Sequence, residues 1–194
     1  MPRVHSAWIV AGVTFLVLLA SAAFRSSMGV MVVPFEMEYG WSRSAISIAV
    51  SVNLVLYGVT APFAAALMER FGIRQVVVVA LALISLGSGL TLFMTASWQL
   101  VILWGVFVGL GVGATALVFG ALVANRWFVQ RRGLVMGLLG AAWATGQLVF
   151  LPLITQTVEI LGWRYAAFSI ALMAAMLIPL VWLILHDRPS DIGL

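Results

Sequence analysis

Two stretches ninety positions apart decide how this chain folds: APFAAALMERFGIR at residues 61–74 and LPLITQTVEILGWR at residues 151–164. In one register they pair Pro62 with Pro152, Glu69 with Glu159, Gly72 with Gly162 and Arg74 with Arg164. Helix–loop–helix junctions in general favour Pro, Gly and Arg, but four identities at a single offset point to a duplicated unit. Each stretch closes one long apolar run and opens another. A membrane-spanning helix needs about 20 mostly apolar residues, and the chain supplies six such runs, at about 7–33, 43–66, 74–95, 99–124, 133–157 and 164–185. Both stretches then join the second and third helices of a triplet, on opposite sides of a membrane. The expectation is an all-α membrane protein, one domain over 1–194, with six transmembrane helices as a 3+3 inverted repeat, an arrangement used by transporters.

Composition agrees with a lipid environment. The chain is 64% hydrophobic and 8% charged, with mean hydropathy +1.17, whereas a soluble domain carries roughly 25% charged residues. Its basic residues are all Arg and its net charge is +4. Such a balance suggests nucleic acid when Arg clusters on one soluble face. Here the Arg residues sit at the ends of apolar runs, so no nucleic-acid partner is expected. With the N-terminus in the cytoplasm, Arg3, Arg70, Arg74, Arg126, Arg131, Arg132 and Arg188 fall on that side, against Arg43 and Arg164 on the other. The positive-inside rule then places both termini in the cytoplasm of a multi-pass cell-membrane protein. Ala20-Ser21-Ala22 resembles a signal-peptide cleavage site, but the apolar run resumes after Arg25 and reaches Val33, which favours an uncleaved span.

Enzyme chemistry finds few groups to use. His5 and His186 lie at the extreme ends, Lys and Cys are absent, and no Asp falls within a span. A Schiff base, a thiolate metal site and an intramembrane aspartyl pair are therefore unavailable. No Gly-Lys phosphate loop or Thr-Val-Gly-Tyr-Gly filter occurs either. A catalytic role, a cofactor and a metal are not expected.

The loop after the second span resembles the signature of the major facilitator superfamily, Gly-x-x-x-Asp-Arg-x-Gly-x-Arg-Arg. Arg70, Gly72 and Arg74 match it, Glu69 is a conservative change, and Ala65 and Gln75 depart from it. Arg126-Trp127-Phe128-Val129-Gln130-Arg131-Arg132-Gly133, with Met136-Gly137, Gly140 and Gly146 following, is similar to the entry into helix five of the monocarboxylate transporter-like branch. Gly162-Trp163-Arg164 and the run Arg188 to Gly193 are similar to it as well. The resemblance implies the N-terminal six-helix half of a secondary transporter, since that family has twelve helices. It also implies that Glu69, Arg70, Gly72 and Arg74 form a conformational-switch loop latching the two halves in one state.

Arg25 is the one charge inside a span. It lies about five positions past the midpoint of the 7–33 run, roughly 7 Å off centre, where a guanidinium requires a cavity or a partner. No acid lies at matching depth, because Glu36 and Glu38 fall beyond the expected helix end. Snorkelling to the interface is the alternative. Shifted by ninety, Arg25 maps onto Thr115, Asn53 onto Trp143 and Tyr57 onto Gln147. The resemblance implies that helices one, two, four and five line the cavity and that a helix-one cation near Arg25 meets a carboxylate. Arg25, Asn53, Tyr57, Thr115, Trp143 and Gln147 are thus the candidate substrate-binding residues, although Asn, Thr and Gln also serve as interhelical bonds. Gly105, Gly109 and Gly113 form a small-residue stripe on helix four, with Gly133 and Gly137 on helix five, as close helix packing requires. The expected partners are a small carboxylate, the lipid bilayer, and a second six-helix half or another copy of the chain. The expected function is gradient-driven transport of a small organic anion by alternating access. The alternative is a truncated or structural half-transporter that only associates with a complete partner.

Overall fold

The protein, seen in a computed structural model, is described over residues 2–128 and 130–187, without the side chains of residues 2–6 and 117. Among these residues six helices are long and apolar enough to cross a membrane: Ala7–Tyr39, Arg43–Phe71, Ile73–Phe93, Ser97–Trp127, Arg132–Leu161 and Trp163–Ile184. They are called helices 1 to 6. Arg188 to Gly193, which carried part of the sequence resemblance, lies outside the described residues, as does Val129.

The repeat is visible in how deeply each helix is buried. Helices 1 and 4 have 67% and 65% of their apolar window buried, helices 3 and 6 have 39% and 33%, and helices 2 and 5 only 11% and 22%. These levels pair the helices as 1 with 4, 3 with 6 and 2 with 5, as a ninety-residue duplication demands. Packing follows the same rule: helix 1 lies along helix 5, helix 4 along helix 2, and helix 3 along helix 6. The glycine stripe makes one of these seams. A Cβ at Gly109 would stand 3.1 Å from the Asn53 Cα, and one at Gly113 only 2.9 Å from the Thr60 Cβ. On the helix 1–5 seam that role falls to Gly146, whose Cβ would meet the Leu19 carbonyl at 2.6 Å. Gly133 and Gly137, expected to share in this packing, have nothing within 4 Å. They sit on the first turns of helix 5, away from its contact face.

Two helices depart from the sequence reading. Pro34 removes a backbone donor and reads as a stop, yet helix 1 continues through it to Tyr39. Phe35 accounts for the continuation, since it is fully buried and packs edge-on against Trp163 at 4.9 Å. One missing hydrogen bond costs less than unwinding a turn and stripping several backbone groups of partners. Helix 4 is irregular. Val101–Val108 winds as a π-helix and Gly109–Ala114 returns to α geometry. The chain then leaves the helix at Thr115 (φ −95°, ψ 19°) and Ala116 (φ −74°, ψ −171°) before Leu117–Trp127 resumes. Non-helical backbone at membrane depth survives only where protein covers it, and both residues are buried.

Candidate functional site

With helix 1 running to Tyr39, Arg25 lies two residues, about 3 Å along the axis, from the middle of Ala7–Tyr39. Its guanidinium carbon lies 4.5 Å over the Tyr57 ring of helix 2, within cation–π range. Tyr57 in turn stacks on Trp143 of helix 5, with centroids 6.3 Å apart and planes 29° from parallel. This places the cation and the two rings in one cluster spanning helices 1, 2 and 5. Gln147 lies one turn beyond Trp143 and is half-buried.

The Arg25 Nη1 is buried and has no hydrogen-bond partner. The ion pairs among the described residues are Arg43 with Glu36 and Arg164 with Glu38. Glu36 and Glu38 lie in the last turn of helix 1, not beyond it, and both are engaged there. A groove of about 470 Å³ runs along helices 1 and 5, bordered by Gly29, Val33, Pro34, Leu151, Thr155 and Glu159 among others. Gly29 and Leu151 are one turn beyond Arg25 and Gln147 in their helices, and none of the cluster residues borders the groove itself. A second groove, of about 360 Å³ between helices 2, 3 and 4, carries no charged residue on its lining.

Asn53 and Thr115 are engaged elsewhere. The Asn53 amide donates to the Trp104 carbonyl at 2.8 Å, within the π-helical stretch. Thr115 is fully buried; its hydroxyl lies 3.1 Å from the Gly111 carbonyl and 2.8 Å from the Ser21 hydroxyl. The Gly111 carbonyl also accepts from the Thr115 N–H at 3.1 Å, so the hydroxyl adds a second bond at the break in helix 4. Both residues thus tie helix 4 to its neighbours, and Ser21, which the sequence reading did not count among the site candidates, is the partner of one of them.

The loop residues also separate. Glu69 and Arg70 are exposed. Gly72 takes φ 94° and ψ 151°, a conformation open essentially to glycine alone. The carboxylate at the start of helix 3 comes from Asp187, just past helix 6: the Arg74 N–H donates to its Oδ1 at 2.8 Å. A Cβ on Gly72 would collide with that same carboxylate. The Arg74 guanidinium stacks over Trp182 at 4.1 Å, and Arg126 donates to the Asp187 carbonyl at 3.4 Å. Asp187 and Trp182 were not legible as part of this loop, because 113 positions separate Asp187 from Arg74.

Comparison with known proteins gives these features a family. The sequence profile of the Major Facilitator Superfamily matches residues 13–193. An uncharacterized MFS-type transporter of Bacillus subtilis, YcxA, is 26% identical over 176 residues, covering 90% of this chain and 43% of that protein. Monocarboxylate transporter 4 of Gallus gallus is 33% identical over 164 residues, covering 81% of this chain and 33% of that protein. The inward-open xylose transporter XylE of E. coli superposes with TM-score 0.79 at 17% identity, over 95% of this chain and 49% of that one. The chain thus spans less than half the length of these relatives. With a matching profile over nearly its whole length, six spanning helices and the same fold, this chain belongs to the major facilitator superfamily.

Proposed function

We propose that the chain supplies one half of a secondary transporter that moves a small organic carboxylate by alternating access, with Arg25 contacting the anion. The observation that carries this reading is the Arg25 guanidinium near mid-span, stacked on Tyr57, with a buried N–H that nothing in the described residues satisfies. A buried donor of this kind is costly unless something accepts from it. A groove opens one turn away along the same two helices. Identity to monocarboxylate transporter 4 supports the anion class. Helices 2 and 5, exposed over most of their surface, support a second six-helix half or another copy packing across them. The Arg bias supports cytoplasmic termini in a cell membrane, and Glu69, Arg70, Gly72 and Arg74 act as the conformational-switch loop, now with Asp187 beside them.

The test is titration of acetate and other small carboxylates onto the protein reconstituted with its second half. A guanidinium offers a planar fork that an ammonium does not reproduce. Arg25→Lys should weaken carboxylate binding, and Arg25→Gln should weaken it by more than about tenfold, the scale of a desolvated charge-assisted contact. Unchanged affinity in Arg25→Gln for every carboxylate the parent binds would end the anion reading.

A further inference from the structure

We infer that Trp143 is a specificity-determining residue, and that the site prefers carboxylates carrying a flat aromatic body over short aliphatic ones. This rests on the carboxylate reading above and adds to it the identity of the part of the substrate that is not charged.

The argument starts from what the lining can and cannot offer. Of the six candidate polar and aromatic positions, Asn53 and Thr115 bond to helix 4 or across to helix 1 and present little to a solute. What remains of the six is one guanidinium, two stacked rings and the Gln147 amide. A polyol needs a hydrogen-bond partner for each hydroxyl it brings out of water, and unmatched hydroxyls are penalised. This lining has too few. A flat apolar body, in contrast, needs an aromatic face and an apolar path. The Tyr57–Trp143 pair supplies the face. The groove bordered by Gly29, Val30, Val33, Pro34 and Met37 on helix 1 supplies the path.

The two rings divide the work. Tyr57 lies directly against Arg25, so its face is taken by the cation and it acts as a positioning residue for the guanidinium. Trp143 touches Tyr57 from helix 5 and has the larger ring. Through Tyr57 it stands in the same cluster as Arg25 without holding the cation. Aromatic contacts favour offset-stacked or edge-on geometry and add to simple area burial. An aromatic acid with its carboxylate at Arg25 would lay its ring against Trp143, whereas acetate would leave that surface unused.

The test uses benzoate and acetate as probes, titrated onto the reconstituted protein, its Trp143→Leu and Trp143→Phe variants, and Arg25→Gln. The parent should bind benzoate about tenfold more tightly than acetate. Trp143→Leu should weaken benzoate several-fold more than acetate, removing most of that ratio, and Trp143→Phe should restore most of it. Equal affinities in the parent, or a Trp143→Leu variant that weakens both probes alike, would overturn the inference and leave Trp143 a packing residue. Survival of the benzoate preference in Trp143→Leu would overturn it too. Acetate binding that ignores Arg25→Gln would instead strike at the anion site itself. Absence of binding by either probe would remove both readings.

Discussion

At Gly72 and at Gly162 the chain turns between helices on nearly the same backbone, φ/ψ of 94°/151° and 93°/162°, yet the groups around the two turns differ. At Gly72 a carboxylate from beyond helix 6, Asp187, accepts from the Arg74 N–H, while the Arg74 side chain turns away onto Trp182. At Gly162 the carboxylate is Glu38, from the end of helix 1; it pairs with the Arg164 side chain and accepts from the Trp163 indole N–H. The space over Gly72 is filled by Asp187, and the space over Gly162 is open. Duplication thus preserved what the backbone requires, a glycine at positive φ. The acid that closes each turn was recruited separately, from a different helix and to a different donor.

This comparison can be broken most directly by asking whether the two turns face opposite sides of the membrane. The chain has no Cys, so single cysteines at the exposed positions 69 and 159 give clean reporters. In intact cells a membrane-impermeant maleimide should label Glu159→Cys fully, and should reach Glu69→Cys only after permeabilisation. Labelling of both from one side would refute the inverted repeat as a spanning arrangement.

The next effect in size concerns the glycines. A side chain at this φ costs about 1–3 kcal/mol wherever it is placed, so Gly162→Ala should lower unfolding stability in detergent by that amount. Gly72→Ala should cost about 1–2 kcal/mol more, since its Cβ also displaces Asp187 from the Arg74 N–H. In an Asp187→Ala background the penalty of Gly72→Ala should fall to the Gly162 value. Equal penalties in the parent background would show that the Asp187 contact exerts no constraint.

The smallest effect separates the two acids themselves. Asp187→Ala removes a carboxylate at a helix N-terminus and should cost about 1–2 kcal/mol. Glu38→Gln, which keeps an acceptor for the Trp163 indole N–H, removes only the charge of an ion pair whose side chains are 36% and 51% exposed, and such a pair contributes no more than about 1 kcal/mol. High salt should shrink the Glu38 effect further and leave more of the Asp187 effect. Thermal unfolding at low and high ionic strength distinguishes them.

These differences also mark where sequence was informative. Gly72 and Gly162 are readable because a turn at positive φ is a local requirement, met by few residue types and repeated at a fixed offset, whereas Pro62 and Pro152 lie inside helices 2 and 5. Arg25 is readable because a charge within an apolar run needs a reason. The partners were not readable. Asp187 reaches Arg74 across 113 positions, and Ser21 reaches Thr115 across 94; no periodicity links such pairs. The course of helix 1 past Pro34 was also hidden, because the contact that sustains it, Phe35 on Trp163, belongs to the folded bundle. The ninety-residue map grouped Asn53 and Thr115 with the other candidates, but register alone does not say whether a polar group faces a cavity or a neighbouring helix.

Helix 4 carries a mechanical consequence. A continuous helix of 31 residues bends by stretching hydrogen bonds along one side, which makes it stiff. At Thr115 and Ala116 the ladder is interrupted, with the Thr115 hydroxyl on the Gly111 and Val112 carbonyls and the Phe119 N–H reaching back to the Ala116 carbonyl. Helix 4 is therefore two short beams joined by a pin, and the Ser21 contact sets that pin against helix 1 in the middle of the bundle. Rotation at the pin changes the angle between the beams while their internal ladders stay intact. Because the joint is buried, that motion presents no bare peptide group to lipid.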